Sequence, residues 1–213
     1  MTYDYGQWWL VVLNILLFGY FIKEAFKPQT KTDWRSFGAF MAFLAALFAE
    51  MYGFPLTIFL LTSYFGSRFD FSHNNGHLLN TLLGQNGDPH FSFLHIISYI
   101  LIIGGIVLIS HAWKVLYEAA KKQVLATSGL YAYLRHPQYL GFILIIIGFL
   151  LHWPTIITLL MAPILILRYL LLARREDQEM EKLYKDSFKF YQQNTPGFFP
   201  SWQKIIKRVK LNR

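Results

Sequence analysis

Apolar residues gather along this chain into four long stretches, at residues 8–26, 37–65, 93–113 and 141–173. A helix needs roughly 20 such residues to cross the hydrocarbon of a bilayer, so the pattern predicts membrane helices. The first stretch opens on Trp8-Trp9 and closes near Lys23 and Lys27, with Pro28 beyond. The second exceeds a straight crossing, and Pro55 after Gly53 predicts a kink that splits off an interfacial piece. The fourth is broken by His152-Trp153-Pro154 and reads as a hairpin. Its first arm, residues 138–151, reaches only about 20 Å at 1.5 Å per residue, short of the roughly 30 Å hydrocarbon core. The start of that arm is therefore expected to sit recessed or tilted at one face. The second arm, residues 155–172, contains Pro163 and is expected to bend there. Residues 66–90 hold Gly, Asn, Asp and Pro around a short apolar fragment, which predicts a loop with one short surface helix. After the hairpin, Met180, Leu183, Tyr184, Phe188 and Tyr191 recur at helical spacing, predicting an amphipathic helix ended by Pro196-Gly197.

The fold class expected is thus all-α, a polytopic membrane protein of about five transmembrane helices with a C-terminal hairpin and a cytoplasmic amphipathic helix. Composition agrees: 54% of residues are hydrophobic and 15% charged. The net charge of +8 does not point to nucleic acid, because of where it lies. Apart from Arg68, every Lys and Arg falls within residues 23–35, 114–135 or 168–213. Five crossings put all three regions on one side, as the positive-inside rule requires. The N-terminus is then outside and the C-terminus cytoplasmic, at the plasma membrane if the cell is prokaryotic. The first apolar run follows Asp4 rather than a basic segment and reads as a retained helix. One domain is expected over 1–213: helices and outside loop in 1–121, a core in 122–200, and a basic tail in 201–213 that suits an anionic lipid surface. With no cysteine, a disulfide or thiolate metal site is excluded.

Chemistry concentrates at Ser128-Gly129-Leu130-Tyr131-Ala132-Tyr133-Leu134-Arg135-His136-Pro137-Gln138-Tyr139-Leu140-Gly141. Proline suits a helix's first turn, where its missing N–H costs nothing. The N–H groups that follow favour an anion, and Arg135 offers a planar fork for a carboxylate or phosphate. The same residues also read as positive-inside anchors before a plain helix start. Glu176, where the second arm leaves the membrane, can accept hydrogen bonds from a ribose or pair with an ammonium. Its alternative is a solvated helix end. The hairpin brings residues 139 and 175 to one level, which strengthens both.

Taken in order, Thr127-Ser128-Gly129-Leu130-Tyr131, Arg135-His136-Pro137-Gln138-Tyr139-Leu140-Gly141, Glu176-Asp177, Tyr184, Phe188, Tyr191 and Pro196 resemble the isoprenylcysteine carboxyl methyltransferase and phospholipid methyltransferase superfamily. The resemblance covers about residues 122–200. It implies S-adenosylmethionine as methyl donor, with contacts along Gln123, Val124, Leu125 and Ala126, at Tyr131, at His136, Pro137, Gln138 and Tyr139, and at Glu176. Arg135 stands beside these as a carboxylate ligand. Position 123 is often histidine in the eukaryotic branch. The arginine that those enzymes carry four residues before the glutamate is Leu172 here, leaving Arg168 or Arg175 as candidates for the substrate. Methyl transfer is an in-line displacement, so positioning and water exclusion carry it. The expected partners are the bilayer and a lipophilic methyl acceptor, and no nucleic acid.

Glu50, inside an apolar run, is a further substrate candidate or a residue paired with backbone or histidine. His73, His77, His90 and His95 are expected to line a solvated loop rather than a metal site, and no metal is expected. Two rival classes remain. Membrane sterol reductases share an Arg-His-Pro motif and use NADPH, yet they place glutamate after the motif's glycine, where this chain has Phe142. A non-catalytic lipid-binding membrane protein is the other.

Overall fold

The computed structural model describes residues 5–26, 31–66, 76–84 and 88–199. The basic tail at 201–213, Arg68, His73, Lys27 and Pro28 lie outside those residues. Among the described residues the structure is helical with no strand. Its α-helices are α1 (Trp8–Phe26), α2 (Lys31–Phe48), α3 (Leu56–Phe65), the short α4 (Leu78–Leu82), α5 (Phe93–Lys121), α6 (Pro137–His152) and α7 (Ile156–Asn194). By length and composition α5 and α7 are able to cross a membrane, and a third span arises if α2 and α3 count as one bent pair. The helix α6 is apolar but shorter. The membrane-helical class therefore stands.

The chain divides into two compact units, Met1–Ile102 with Ile146–Leu165, and Ile103–Ile145 with Ile166–Arg213. In the first, the kink expected at Pro55 is present: α2 and α3 meet at 63°. A turn of π-helix, Ala49–Gly53, precedes it, with Phe54 N–H reaching back to Ala49 O at 2.8 Å. Glu50 repairs the break. Its Oε2 accepts from Thr57 N–H at 2.7 Å, supplying one of the acceptors that the first turn of α3 lacks. The start of α7 is capped by Thr155 and Thr158, each hydroxyl accepting the other's backbone N–H at 3.1 Å. Ile156 N–H donates to Thr57 Oγ1 at 2.9 Å. Phe18, Phe48 and Phe149 pack mutually with centroids 5.5–5.8 Å apart.

The expected short helix forms as α4, with Leu82 and Leu83 exposed, but its other side is packed inward. His77, Leu78 and Asn80 are buried, with Asn80 Nδ2 donating to Ser92 Oγ at 3.0 Å. His77 and His95 are also not solvated loop residues, being 2% and 1% exposed. Four aromatic rings enclose His77, a packing that no local spacing announces.

In the second unit, α5 and α6 approach to backbone contact. A Cβ on Gly105 would meet Gly141 O at 2.5 Å, and one on Gly141 would meet Gly105 O at 2.8 Å. The helix α5 ends at Lys121 and is capped two residues on by Gln123, which takes φ +53°. Val124 N–H bonds to Ala119 O and Gln123 N–H to Ala120 O, both at 3.1 Å. This is the left-handed cap usually given to glycine. The helical dihedrals of α7 continue through Pro163 and depart at Lys185 instead, with φ 46° and ψ −120°. Two helices thus meet at Lys185: residues 180–184 continue the hairpin's second arm, and residues 186–194 follow the break.

Candidate cofactor site

The second unit encloses a cavity of about 150 Å³. One wall is the end of α5, with Leu116, Ala119 and Ala120, followed by Val124, Leu125 and Ala126. A second is Tyr131, Arg135 and His136, just before α6. The third is α7, with Glu176, Asp177, Met180, Tyr184, Phe188 and Tyr191. Met180 and Tyr184 lie before the break at Lys185 and Phe188 and Tyr191 after it, and all four line the cavity while Leu183 stays exposed. Val124, Leu125, Ala126, Tyr131, Arg135, His136 and Glu176 therefore line one cavity. Gln123, Pro137, Gln138 and Tyr139 stand outside the cavity lining, as do Arg168 and Arg175.

The residues before α6 are held by a strap that sequence reasoning missed. Arg135 N–H donates to Pro196 O at 2.9 Å, and His136 N–H to Gly197 O at 3.0 Å. Arg135 does not present an open fork. Its Nε and Nη2 donate to the two oxygens of Asp177 at 3.1 and 2.8 Å. Its Nη1 donates to Thr195 O at 2.5 Å and Gln192 O at 3.3 Å. The guanidinium thus enters the site as one half of an ion pair. The ring of Phe198 lies 5.6 Å from that of His136.

Asp177 also receives His136 Nε2 at 3.0 Å. Burial disfavours its ionised form, but the hydrogen bonds from His136 and Arg135 outweigh burial and hold its carboxyl down at about 2. For His136 burial likewise opposes the charge, while Asp177 and Glu176 overcome it and raise its pKa. His136 Nδ1 lies 3.5 Å from Glu176 Oε2, a charge contact that is not a hydrogen bond.

Glu176 is set from the other side by Gln138, whose Nε2 donates to Glu176 Oε2 at 3.2 Å. Gln138 Oε1 accepts from Tyr131 O–H at 2.9 Å, which fixes the amide's orientation. Tyr131 O accepts from Tyr191 O–H at 2.6 Å. Burial raises the pKa of both phenols, most strongly at Tyr131, so they remain protonated donors. Gln138 thus acts on the cavity through Glu176. Tyr139 stacks on Tyr169 at 6.0 Å.

Since Arg135 and Asp177 cancel, the carboxylate of Glu176 remains against aromatic rings and aliphatic side chains. That is an environment for a cation with apolar and aromatic surroundings, and a sulfonium or ammonium has that chemistry. The stretch from α5 through this wall carries a known signature. Residues 91–185 match the isoprenylcysteine carboxyl methyltransferase (ICMT) family. The ICMT match includes the 135–141 motif and Glu176-Asp177, and stops short of Phe188, Tyr191 and the strap. No curated protein and no solved structure matches the chain. The chain accordingly carries the signature of a membrane methyltransferase family together with helices able to cross a membrane.

Proposed function

We propose that the protein is an integral membrane methyltransferase that uses S-adenosylmethionine and acts on a lipophilic or small acceptor at the cytoplasmic face. The acceptor atom would be a carboxylate, amine or thiol, and all of 1–213 would work as one domain. The observation that carries this reading is Glu176, oriented by Gln138 and His136 inside a cavity walled by Tyr131, Tyr184, Phe188 and Tyr191. The donor set fits the cofactor. Glu176 suits its ammonium or ribose hydroxyls, the rings suit an adenine and a sulfonium, and the buried His136 Nδ1 has a hydrogen bond still to make.

Bound S-adenosylmethionine supplies a methyl group activated on a positively charged sulfur. The chain's own part is to position and to exclude water. Tyr131, Gln138 and Glu176 form a fixed ladder of hydrogen bonds, and Leu116, Ala119, Val124 and Met180 give an apolar side for a lipophilic acceptor. We place the basic regions 23–35, 114–135 and 168–213 in the cytoplasm, with five crossings and the N-terminus outside. The helices α1 and α6, about 28 and 24 Å long at 1.5 Å per residue, then count among the crossings.

The test is thermal unfolding of the purified protein with S-adenosylhomocysteine and, separately, with NADPH. Stabilisation by the former alone is expected, weakened in Glu176→Ala and His136→Ala. Stabilisation by NADPH instead would support a reductase, and stabilisation by neither would overturn the cofactor assignment.

A further inference from the structure

The charges at the polar end of the cavity do not balance until His136 carries a second ring hydrogen. Arg135 and Asp177 cancel as a pair, with Arg135 Nη2 2.8 Å from Asp177 Oδ2. Glu176 is then a negative charge in excess. The imidazole of His136 lies between the two carboxylates, with Nε2 3.0 Å from Asp177 Oδ1 and Nδ1 3.5 Å from Glu176 Oε2. Its side chain is only 4% exposed, and Nδ1 itself is buried.

The other walls supply no competing charge. Among the described lining residues, the end of α5 and residues 124–126 contribute only aliphatic side chains. The phenols of Tyr131 and Tyr191 stay protonated and spend their hydrogens on Gln138 Oε1 and Tyr131 O. The third phenol on the wall is Tyr184. From α6 the ring of Tyr139 lies 6.0 Å from that of His136. The strap brings backbone carbonyls and the ring of Phe198.

Hydrogen bonding fixes which form of the ring fits. A carboxylate only accepts, so His136 Nε2 holds a hydrogen for Asp177. In the neutral ring Nδ1 then turns a lone pair toward the Glu176 oxygen. In the cation it turns an N–H there, within about half an ångström of hydrogen-bond distance. The cation is the form that this geometry stabilises, and the raised pKa of His136 agrees.

We infer that the His136 imidazolium is the built-in counter-ion of Glu176, and that a ligand's ammonium or sulfonium taken up by Glu176 drives that proton off His136. The inference rests on the cofactor reading above. With a ligand cation paired to Glu176, an imidazolium 3.5 Å away is a second positive charge on one carboxylate among apolar side chains, so the ring gives up its Nδ1 hydrogen. Asp177 still holds Nε2–H, so the ring stays in place as a neutral acceptor. The sign follows from linkage. The free site binds more protons than the liganded one, so binding strengthens as pH rises through the range in which His136 titrates.

The experiment is isothermal titration calorimetry of the full chain in phosphatidylcholine nanodiscs with S-adenosylmethionine at pH 6.5, in phosphate and in imidazole buffer. The dependence of the heat on the buffer's ionisation enthalpy counts the protons exchanged. At that pH more than half of His136 is charged, its pKa being raised from 6.5. The ligand's amine, at about 7.7–8.0 in model compounds, stays charged as well. Release of roughly 0.5 proton or more per bound ligand is expected, and none in His136→Gln. S-adenosylhomocysteine keeps the ammonium but lacks the sulfonium charge. Release with both ligands assigns the exchange to the ammonium, and release with S-adenosylmethionine alone assigns it to the sulfonium. Binding without release, uptake of a proton, or undiminished release in His136→Gln would overturn the exchange and leave the cofactor reading standing. No binding of either ligand would overturn both. Should His136→Gln fail to fold or bind, Asp177→Asn removes the carboxylate at Nε2 while keeping Glu176. It should cut the release at least twofold, and undiminished release there would likewise overturn the exchange.

Discussion

Replacing Asp177 with Asn removes the charge that Arg135 and His136 share while keeping its shape. Its carboxyl falls from 3.8 to about 2 in the folded protein, which corresponds to about 2 kcal/mol at full weight. Water reaches part of the side chain, so screening reduces this to about 1 kcal/mol. Arg135 keeps its two carbonyl acceptors, Thr195 and Gln192. The loss therefore stays below the 3–5 kcal/mol typical of a fully stranded buried charge. A total of about 1–2 kcal/mol lowers Tm by about 3–6 °C for a chain of this size. The pH dependence is more diagnostic. Asp177 has a depressed pKa, so its contribution is present above 3.8 and lost as pH falls toward 2. His136 has a raised pKa, so its contribution is complete below its unfolded value and lost as pH rises through the folded one. The difference in Tm between the wild type and Asp177→Asn should thus be largest between about pH 4 and 6.5, and shrink above. Scanning calorimetry at fixed rate across pH 4–9 measures it. A difference that is flat with pH, or absent, would refute the shared-carboxylate reasoning.

Two further substitutions separate structural roles from ligand roles. Glu50→Ala strips the buried Thr57 N–H of its acceptor and should cost about 1–3 kcal/mol, whereas Glu50→Gln keeps an acceptor oxygen and most of the stability. A Glu50→Gln protein with wild-type Tm but no methyl transfer would show instead that the charge serves the substrate. Gln123→Gly relieves the left-handed cap at φ +53° and should raise stability by about 0.5–1 kcal/mol. Its thermal shift with S-adenosylhomocysteine should match the wild type, because that side chain is absent from the cavity lining, and a diminished shift would return Gln123 to the cofactor contacts.

What could be read from the chain was whatever a local signal carries. Long apolar runs gave the membrane helices, Pro55 gave the bend, and His152-Trp153-Pro154 gave the hairpin, since each acts within a few residues of itself. Of the cavity wall, 131–136 lies in the motif whose own residues signalled a site, 180, 184, 188 and 191 were legible as an apolar helical face but not as a wall, and 124–126 came only through the family resemblance. Gln123 as a cap was not legible, because nothing but its dihedral distinguishes it from an ordinary loop glutamine. His77 and His95 were misread as solvated because 77, 95 and the neighbouring 152 share no period, whereas His90 is exposed. A partial signal did exist in His95, Ser98 and Tyr99, whose i, i+3, i+4 spacing puts a polar stripe on an otherwise apolar helix.

Arg135 shows the deeper limit. From its neighbours it is a free fork at a helix start, suited to an anion. Asp177, 42 residues away, and carbonyls 57 and 60 residues away decide otherwise. The consequence reaches the chemistry. A free guanidinium would make the cavity attractive to a carboxylate, whereas the Arg135–Asp177 pair leaves Glu176 as the charge that a ligand meets, tempered by His136 at 3.5 Å. The arginine that read as a cofactor's anion site therefore helps to build its opposite. Asp177→Asn then has a second effect: it loosens Arg135 from its partner and shifts the cavity toward positive charge. A cationic ligand should bind the variant more weakly even where the fold survives, and added salt should narrow the gap between variant and wild type.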